Sequence, residues 1–254
     1  MPMTRLVSAA ALAFGLVTTP ALSFDIGEMT EDERAMFRDE VRGYLLENPE
    51  VLMEAISVLE QRQADAAEQN DANLVATNAD SIFNDGFSHV GGNPEGDVTI
   101  VEFVDYRCGY CRKAFPELNE LVSSDGDIRV IYKEFPILGE ESVTSSRFAI
   151  ATQLAHGEEA YAEVHDALMT LRANATEEVL ARMADDMGYD SAEILDRMDD
   201  PEVNRRIEEN HMLAQRLEIS GTPTFVLEDQ MVRGYVPLEA MRGMVEQVRD
   251  AQDS

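Results

Sequence analysis

Two cysteines stand in the chain, Cys108 and Cys111, separated only by Gly109 and Tyr110. A strand-like run, residues 98–104, comes before them, and a helix-like run to about residue 122 follows. The spacing therefore predicts a dithiol at a helix N-terminus, where free N–H groups and aligned peptide dipoles favour a thiolate. Cys108, at the helix start, is expected to be the exposed nucleophile. Cys111, one turn further in, is expected to be the shielded thiol that resolves a mixed disulfide. A bridge across two residues closes almost no loop and constrains the unfolded chain little, so redox chemistry explains the pair better than stapling does. A zinc site would need two more ligands. There is no further cysteine, and His89, His156, His165 and His211 lack ligand spacing, so no metal and no other cofactor is expected.

Three other features bear on the same chemistry. Glu102 is an acid inside the apolar run Val101-Glu102-Phe103-Val104. A carboxylate there is costly unless it is paired, functional or turned to solvent from an edge strand. Its functional role would be to take the proton of Cys111 through water, with Lys133 on the neighbouring strand as a candidate partner. Thr222-Pro223 sits between Gly221 and a strand. Taken alone, an ordinary trans proline entering a strand is the simpler reading. A cis proline would instead lie beside the cysteines and leave the Thr222 backbone free to pair with an extended substrate segment. The Gly109-Tyr110 dipeptide carries no cation. Thiolate stabilisation must then come from the helix end, with Arg107, Arg112 and Lys113 as further candidates or simply as solvated surface charges.

These residues need a frame. Residues 1–23 carry one charge, Arg5, then a twelve-residue apolar run, then small residues before Phe24. That is the layout of a cleaved secretory signal, too short for a spanning helix of about 20 residues. Export to the periplasm follows, and an oxidising compartment permits redox cysteines. Residues 24–90 read as a helical arm. Thr30 and Glu33 form a capping box, Phe37, Val41, Tyr44 and Leu45 make one stripe, and Leu52, Ala55, Ile56 and Leu59 make another. The polar, alanine-rich stretch 61–79 resembles a spacer. A narrow stripe needs either its own domain or another copy of itself to cover it. The turn cluster from Gly91 to Asp97 marks a boundary. Residues 91–254 then alternate strand, helix, strand, a helical block at about 140–217, a strand hairpin and a closing helix. This is an α/β thioredoxin fold with an inserted helical domain, preceded by the arm. The formal charge of −30 argues against nucleic acid or anionic membrane as partner.

The segment Phe103-Val104-Asp105-Tyr106-Arg107-Cys108-Gly109-Tyr110-Cys111, with Gly221-Thr222-Pro223-Thr224-Phe225 and Tyr132-Lys133-Glu134-Phe135-Pro136-Ile137-Leu138-Gly139, resembles the DsbA-like family of exported thiol–disulfide oxidoreductases. The arm segment Tyr44-Leu45-Leu46-Glu47-Asn48-Pro49-Glu50-Val51-Leu52 is similar to the N-terminal region of its ScsC-like branch. The resemblance implies attack by Cys108, resolution by Cys111, a cis Pro223 beside them, the acid at Glu102, and a membrane redox partner for recycling. It also implies a homotrimer built through residues 24–90, which supports disulfide isomerase activity on exported proteins. The Gly-Tyr dipeptide departs from the Pro-His of the strongly oxidising archetype, and Thr222 in place of valine leans toward isomerase-like members. A monomer would favour dithiol oxidation instead. A non-catalytic periplasmic chaperone or a copper-handling module is the rival from another class. The methionines Met183, Met187, Met241 and Met244 that invite copper fall at helical spacing and read as core.

Overall fold

A computed structural model describes residue 27 and residues 29–252. The leader read at residues 1–23 lies outside the described residues. The chain divides into two units, one ending at Glu60 and one beginning at Gln61.

The first unit holds α1 (Glu31–Glu47) and the opening of α2 (Glu50–Phe83). The Thr30 hydroxyl accepts the Glu33 N–H, and the Glu33 carboxylate accepts the Thr30 N–H, which completes the capping box. α1 buries none of its residues. Of the two stripes read from sequence, Phe37, Val41, Tyr44, Leu52, Ala55, Ile56 and Leu59 are exposed and Leu45 is half-buried.

The second unit is built on a five-stranded sheet in the order β1-β3-β2-β4-β5. The strands are β1 (His89–Gly92), β2 (Val98–Val104), β3 (Ile128–Glu134), β4 (Thr224–Leu227) and β5 (Gln230–Arg233). β2 and β3 run parallel; the other pairs are antiparallel. The parallel pair is joined by α3 (Gly109–Asp125), the crossover such a pair requires. On one face, Val98, Ile100, Val130 and Phe225 pack against Ala114, Leu118 and Leu121 of α3 and Met241 and Val245 of α9 (Leu238–Gln252). On the other face, Val101, Phe103 and Ile131 pack against Val75 and Ile82 of α2.

The stretch 61–79 is therefore not a spacer. Its alanines continue one helix, and Val75 and Ile82 enter the sheet core. β1 also differs from the turn expected at Gly91-Gly92. Gly92 has φ +67, and a Cβ there would run into the Ile128 carbonyl, so the pairing with β3 admits only glycine.

Between β3 and β4 lie α4 (Glu140–His156), α5 (Glu158–Thr170), α6 (Glu177–Met187), α7 (Ser191–Arg197) and α8 (Pro201–Arg216). They form the helical insertion. Their core joins Phe148, Val164, Leu168 and Leu180 to Val104, Tyr106, Cys108 and Cys111, so the cysteines sit where sheet and insertion meet. Met183 and Met187 pack on this core, while Met241 and Met244 pack on the sheet core. Among the described residues no helix is long and apolar enough to cross a membrane.

Candidate active site

Cys108 is the N-cap of α3 in extended conformation, and its sulfur accepts the Cys111 N–H at 3.5 Å. In its protonated form the Cys108 thiol donates to the Thr222 carbonyl, 3.2 Å away. Both sulfurs are free thiols. A hydrogen bond from the Cys111 thiol pulls the Cys108 pKa down to about 5. Burial opposes this, while the Cys111 and Tyr110 N–H groups add to it. Cys108 is thus a thiolate at neutral pH. The same bond, then burial, then the charge of Glu102 push Cys111 far above the ordinary thiol range. The two thiols are thus shifted in opposite directions, Cys108 toward the thiolate and Cys111 toward the thiol.

One expectation fails in degree. Cys108 is only 6% exposed, against 0% for Cys111. The Thr222-Pro223 turn covers the N-cap sulfur. The Thr222–Pro223 bond is cis. The Pro223 carbonyl accepts the Gly234 N–H, whereas the Thr222 N–H has no hydrogen-bond partner among the described residues. Tyr110, inside the dipeptide, is 63% exposed.

Glu102 is 1% exposed, and its Oε1 has no hydrogen-bond partner among the described residues. It lies on a central strand, not on an edge. Burial, then the Cys108 charge, then Glu134 raise its pKa to about 8. Lys133 does not partner it. The register sets Tyr132 opposite Glu102 and Lys133 opposite Phe103, and successive side chains alternate faces, so Lys133 points away from the cysteines. There its ammonium donates to Asp85 at 2.5 Å and to the Ser81 carbonyl at 2.9 Å. The other cations are also engaged elsewhere. Arg107 pairs with Glu141 and donates to the Ala173 carbonyl. Arg112 donates to the Tyr106 and Leu168 carbonyls. Lys113 lies 3.9 Å over the Tyr235 ring. Helix end and Cys111, rather than these cations, stabilise the thiolate.

Residues 99–246 match the DSBA-like thioredoxin domain. The chain belongs to this family. Residues 33–66 of this DSBA-like chain match the N-terminal domain of the copper resistance protein ScsC. A thioredoxin-like oxidoreductase from Silicibacter pomeroyi DSS-3 is 42% identical, with 67% of this chain and 97% of that chain covered and a TM-score of 0.64. Proteus mirabilis ScsC in a transitional conformation is 25% identical over 87% of this chain and 97% of that chain, with a TM-score of 0.63. The Na(+)/H(+) antiporter NhaA 3 of Salinispora tropica is 29% identical over 157 residues, which is 62% of this chain and 24% of that protein. The chain thus spans about a quarter of the length of the first curated relatives it matches.

Two buried acids of this DSBA-like site escape the sequence reading. Asp105 is fully buried and accepts from four donors: the Arg107 N–H, the Ser142 hydroxyl, and the Ile137 and Leu138 N–H groups. It ties the cysteine loop to the segment after β3. Glu134, 3% exposed, accepts the hydroxyls of Tyr106, Tyr161 and Ser146, each at 2.6 Å. Its neighbour His165 meets the Tyr106 hydroxyl at 2.9 Å and is held neutral by burial, with a pKa near 3. Both acids sit in the quoted motif segments. A run of alternating residues does not show that their partners lie up to 37 positions away.

Proposed function

We propose that this protein is a periplasmic thiol–disulfide oxidoreductase acting on exported proteins, and that its arm makes it an oligomeric isomerase. The observation that carries the redox reading is the split pair: a Cys108 thiolate at a helix N-cap, touching the turn that precedes cis Pro223, over a proton-bearing Cys111.

The Cys108 thiolate attacks one sulfur of a substrate disulfide, a new S–S bond forms, and a substrate thiolate leaves. Cys111 then loses its proton to the Glu102 carboxylate through water and attacks the Cys108 sulfur. The substrate leaves with two electrons gained, and the protein holds the Cys108–Cys111 disulfide. Dithiol oxidation runs the same steps in reverse. In isomerisation, a second substrate thiol displaces Cys108 before Cys111 acts, with no net electron transfer. A proton acceptor near pH 8 is matched to this work at neutral pH. The Thr222 N–H, without a hydrogen-bond partner among the described residues, supports docking of an extended substrate segment by strand addition. No cofactor takes part in these steps. A membrane partner would restore the starting redox state.

Two things support the oligomer: the match of residues 33–66 to the ScsC N-terminal domain, and the apolar groove of about 380 Å³ lined by Phe37, Val41, Leu45, Leu46 and Leu52. Deletion of residues 24–60, which spares Val75 and Ile82, is expected to give a monomer by sedimentation. An unchanged mass defeats the oligomer reading. Refolding of a scrambled-disulfide substrate tests the chemistry. Cys108→Ala is expected to abolish it; activity that survives the substitution removes the redox reading. The ScsC match, through that protein's copper-resistance name, supports a second reading in which the dithiol handles copper. Copper bound by the dithiol, with no refolding activity in the wild type, would favour it.

A further inference from the structure

Among the contacts that tie the helical insertion to the cysteine site, one buried side chain, Glu134, gathers several at once. It ends β3, and its carboxylate oxygens are fully used. Oε1 accepts the hydroxyls of Tyr106, two residues before Cys108, and of Tyr161 on α5. Oε2 accepts the hydroxyl of Ser146 on α4. Its backbone carbonyl accepts the Asn210 side-chain amide on α8. Three insertion helices and the cysteine loop therefore converge on one residue that is 3% exposed.

Glu134 also shares a sheet face with Glu102. Val104 pairs with Glu134 and Glu102 with Tyr132, so the two acids are diagonal neighbours on parallel strands. The groups that face this pair are few. Cys108 and Cys111 come from α3, Tyr132 from β3, Asp105 and Tyr106 from the loop after β2, and Tyr161 and His165 from α5, while His89 of β1 and Arg206 of α8 line a small cavity beside Glu134. His165 is neutral, the tyrosines stay protonated, His89 pairs with Glu158, and Arg206 donates to Glu202 and Gln153 rather than to either acid. Asp85 takes the one buried lysine to the opposite face.

We propose that Glu134 is a positioning residue of the redox site: it anchors Tyr106 and the helical insertion to the cysteine loop, and its charge controls how readily Glu102 ionises. This rests on the reading of Glu102 as the proton acceptor of Cys111. Burial raises the Glu134 carboxyl to about 7, against the pull of its three hydroxyl donors, and like charge adds to the rise at Glu102. The two acids thus titrate as a coupled pair in the range where the enzyme works.

The test uses the full-length protein and a single-turnover reaction with a peptide disulfide, in which the Cys111-dependent resolution step is followed against pH. Glu134→Gln keeps the shape and removes the charge. It is expected to move the inflection of that step down by on the order of one pH unit, the size expected for two like charges a strand apart. Glu102→Gln is expected to abolish the inflection, and the double variant to match Glu102→Gln. An inflection unmoved in Glu134→Gln but lost in Glu102→Gln overturns the proposal and spares the proton acceptor. An inflection that survives Glu102→Gln overturns the acceptor reading itself. If Glu134→Gln does not fold, Ser146→Ala and Tyr161→Phe decide. Each removes one donor from Glu134 and delays its ionisation, so each is expected to shift the inflection in the same direction; no shift in either overturns the proposal.

Discussion

Replacing Glu102 by glutamine should make the protein more stable, and increasingly so as the pH rises. The unfolded carboxyl titrates near its ordinary 4.5, the folded one near 8. Below pH 4.5 both states carry the proton and Glu102 contributes no pH dependence. Between 4.5 and 8 the unfolded chain has released the proton and the folded chain still holds it. The folded state therefore binds more protons, and stability falls with rising pH. Above pH 8 the loss is complete. At roughly 1.4 kcal/mol per pH unit, it amounts to about 5 kcal/mol as an upper figure. A domain's whole stability is about 5–15 kcal/mol, so an effect of this size is readily measured. The buried amide of Glu102→Gln has its own desolvation cost, but that cost does not depend on pH. The slope of the stability difference therefore reports ionisation alone. Urea unfolding of the two dithiol proteins from about pH 5 to pH 9 measures it. The Cys108 thiolate contributes to the rise at Glu102, so the disulfide forms should differ by less. Stability curves that stay parallel across this range refute the assignment of a buried, ionisable acid to Glu102.

Asp105→Ala leaves four donors without their acceptor beside the cysteine loop. It should cost ~3–5 kcal/mol in urea unfolding, with faster amide exchange at Ile137 and Leu138. Lys133→Met strands Asp85, whose side chain is 10% exposed, and should cost a similar ~3–5 kcal/mol. Because Lys133 faces away from the cysteines, the Cys108 titration, followed by thiolate absorbance, should stay near pH 5. A moved titration would restore Lys133 as a tuning residue.

The chemistry was legible where one residue type declares its purpose locally. Cys108 and Cys111 announce a dithiol, Glu102 is an acid in an apolar strand, and Thr222-Pro223 opens a strand. The bounds of β2 are legible because its run is apolar but for Thr99 and Glu102, as a strand covered on both faces largely is. Lys133 departs from its expected role because adjacency of strands does not place two side chains on one face, and only the register, Glu102 with Tyr132, fixes the parity. β1 was missed because Gly91 and Gly92 read as a turn, yet Gly92 is demanded by a close backbone approach within a strand pair. The second half of α2 read as a spacer because its alanines show no stripe. Its two buried residues, Val75 and Ile82, stand seven apart, flanked by the partly buried Leu74 and Phe83, and the sheet they meet decides their burial.

The same distinction explains why a candidate site could be proposed from sequence but its buried surroundings could not. An active-site cysteine must be reactive wherever it is found, so its motif is local. The groups that set its reactivity act through burial and distance, and those come from the insertion. Arg107 and Arg112 look like thiolate partners beside the cysteines, but both spend their hydrogen bonds on the insertion and on the loop itself. Glu134 looks like an ordinary strand end and proves to join Tyr106, Ser146 and Tyr161. With the nearby arginines committed to structure, the charge balance at the dithiol rests on three buried acids, Glu102, Asp105 and Glu134, and a helix end. The insertion thus does more than shelter the site. Its side chains hold the cysteine loop in place, and one of the acids they gather sits within electrostatic reach of the residue that would take the Cys111 proton.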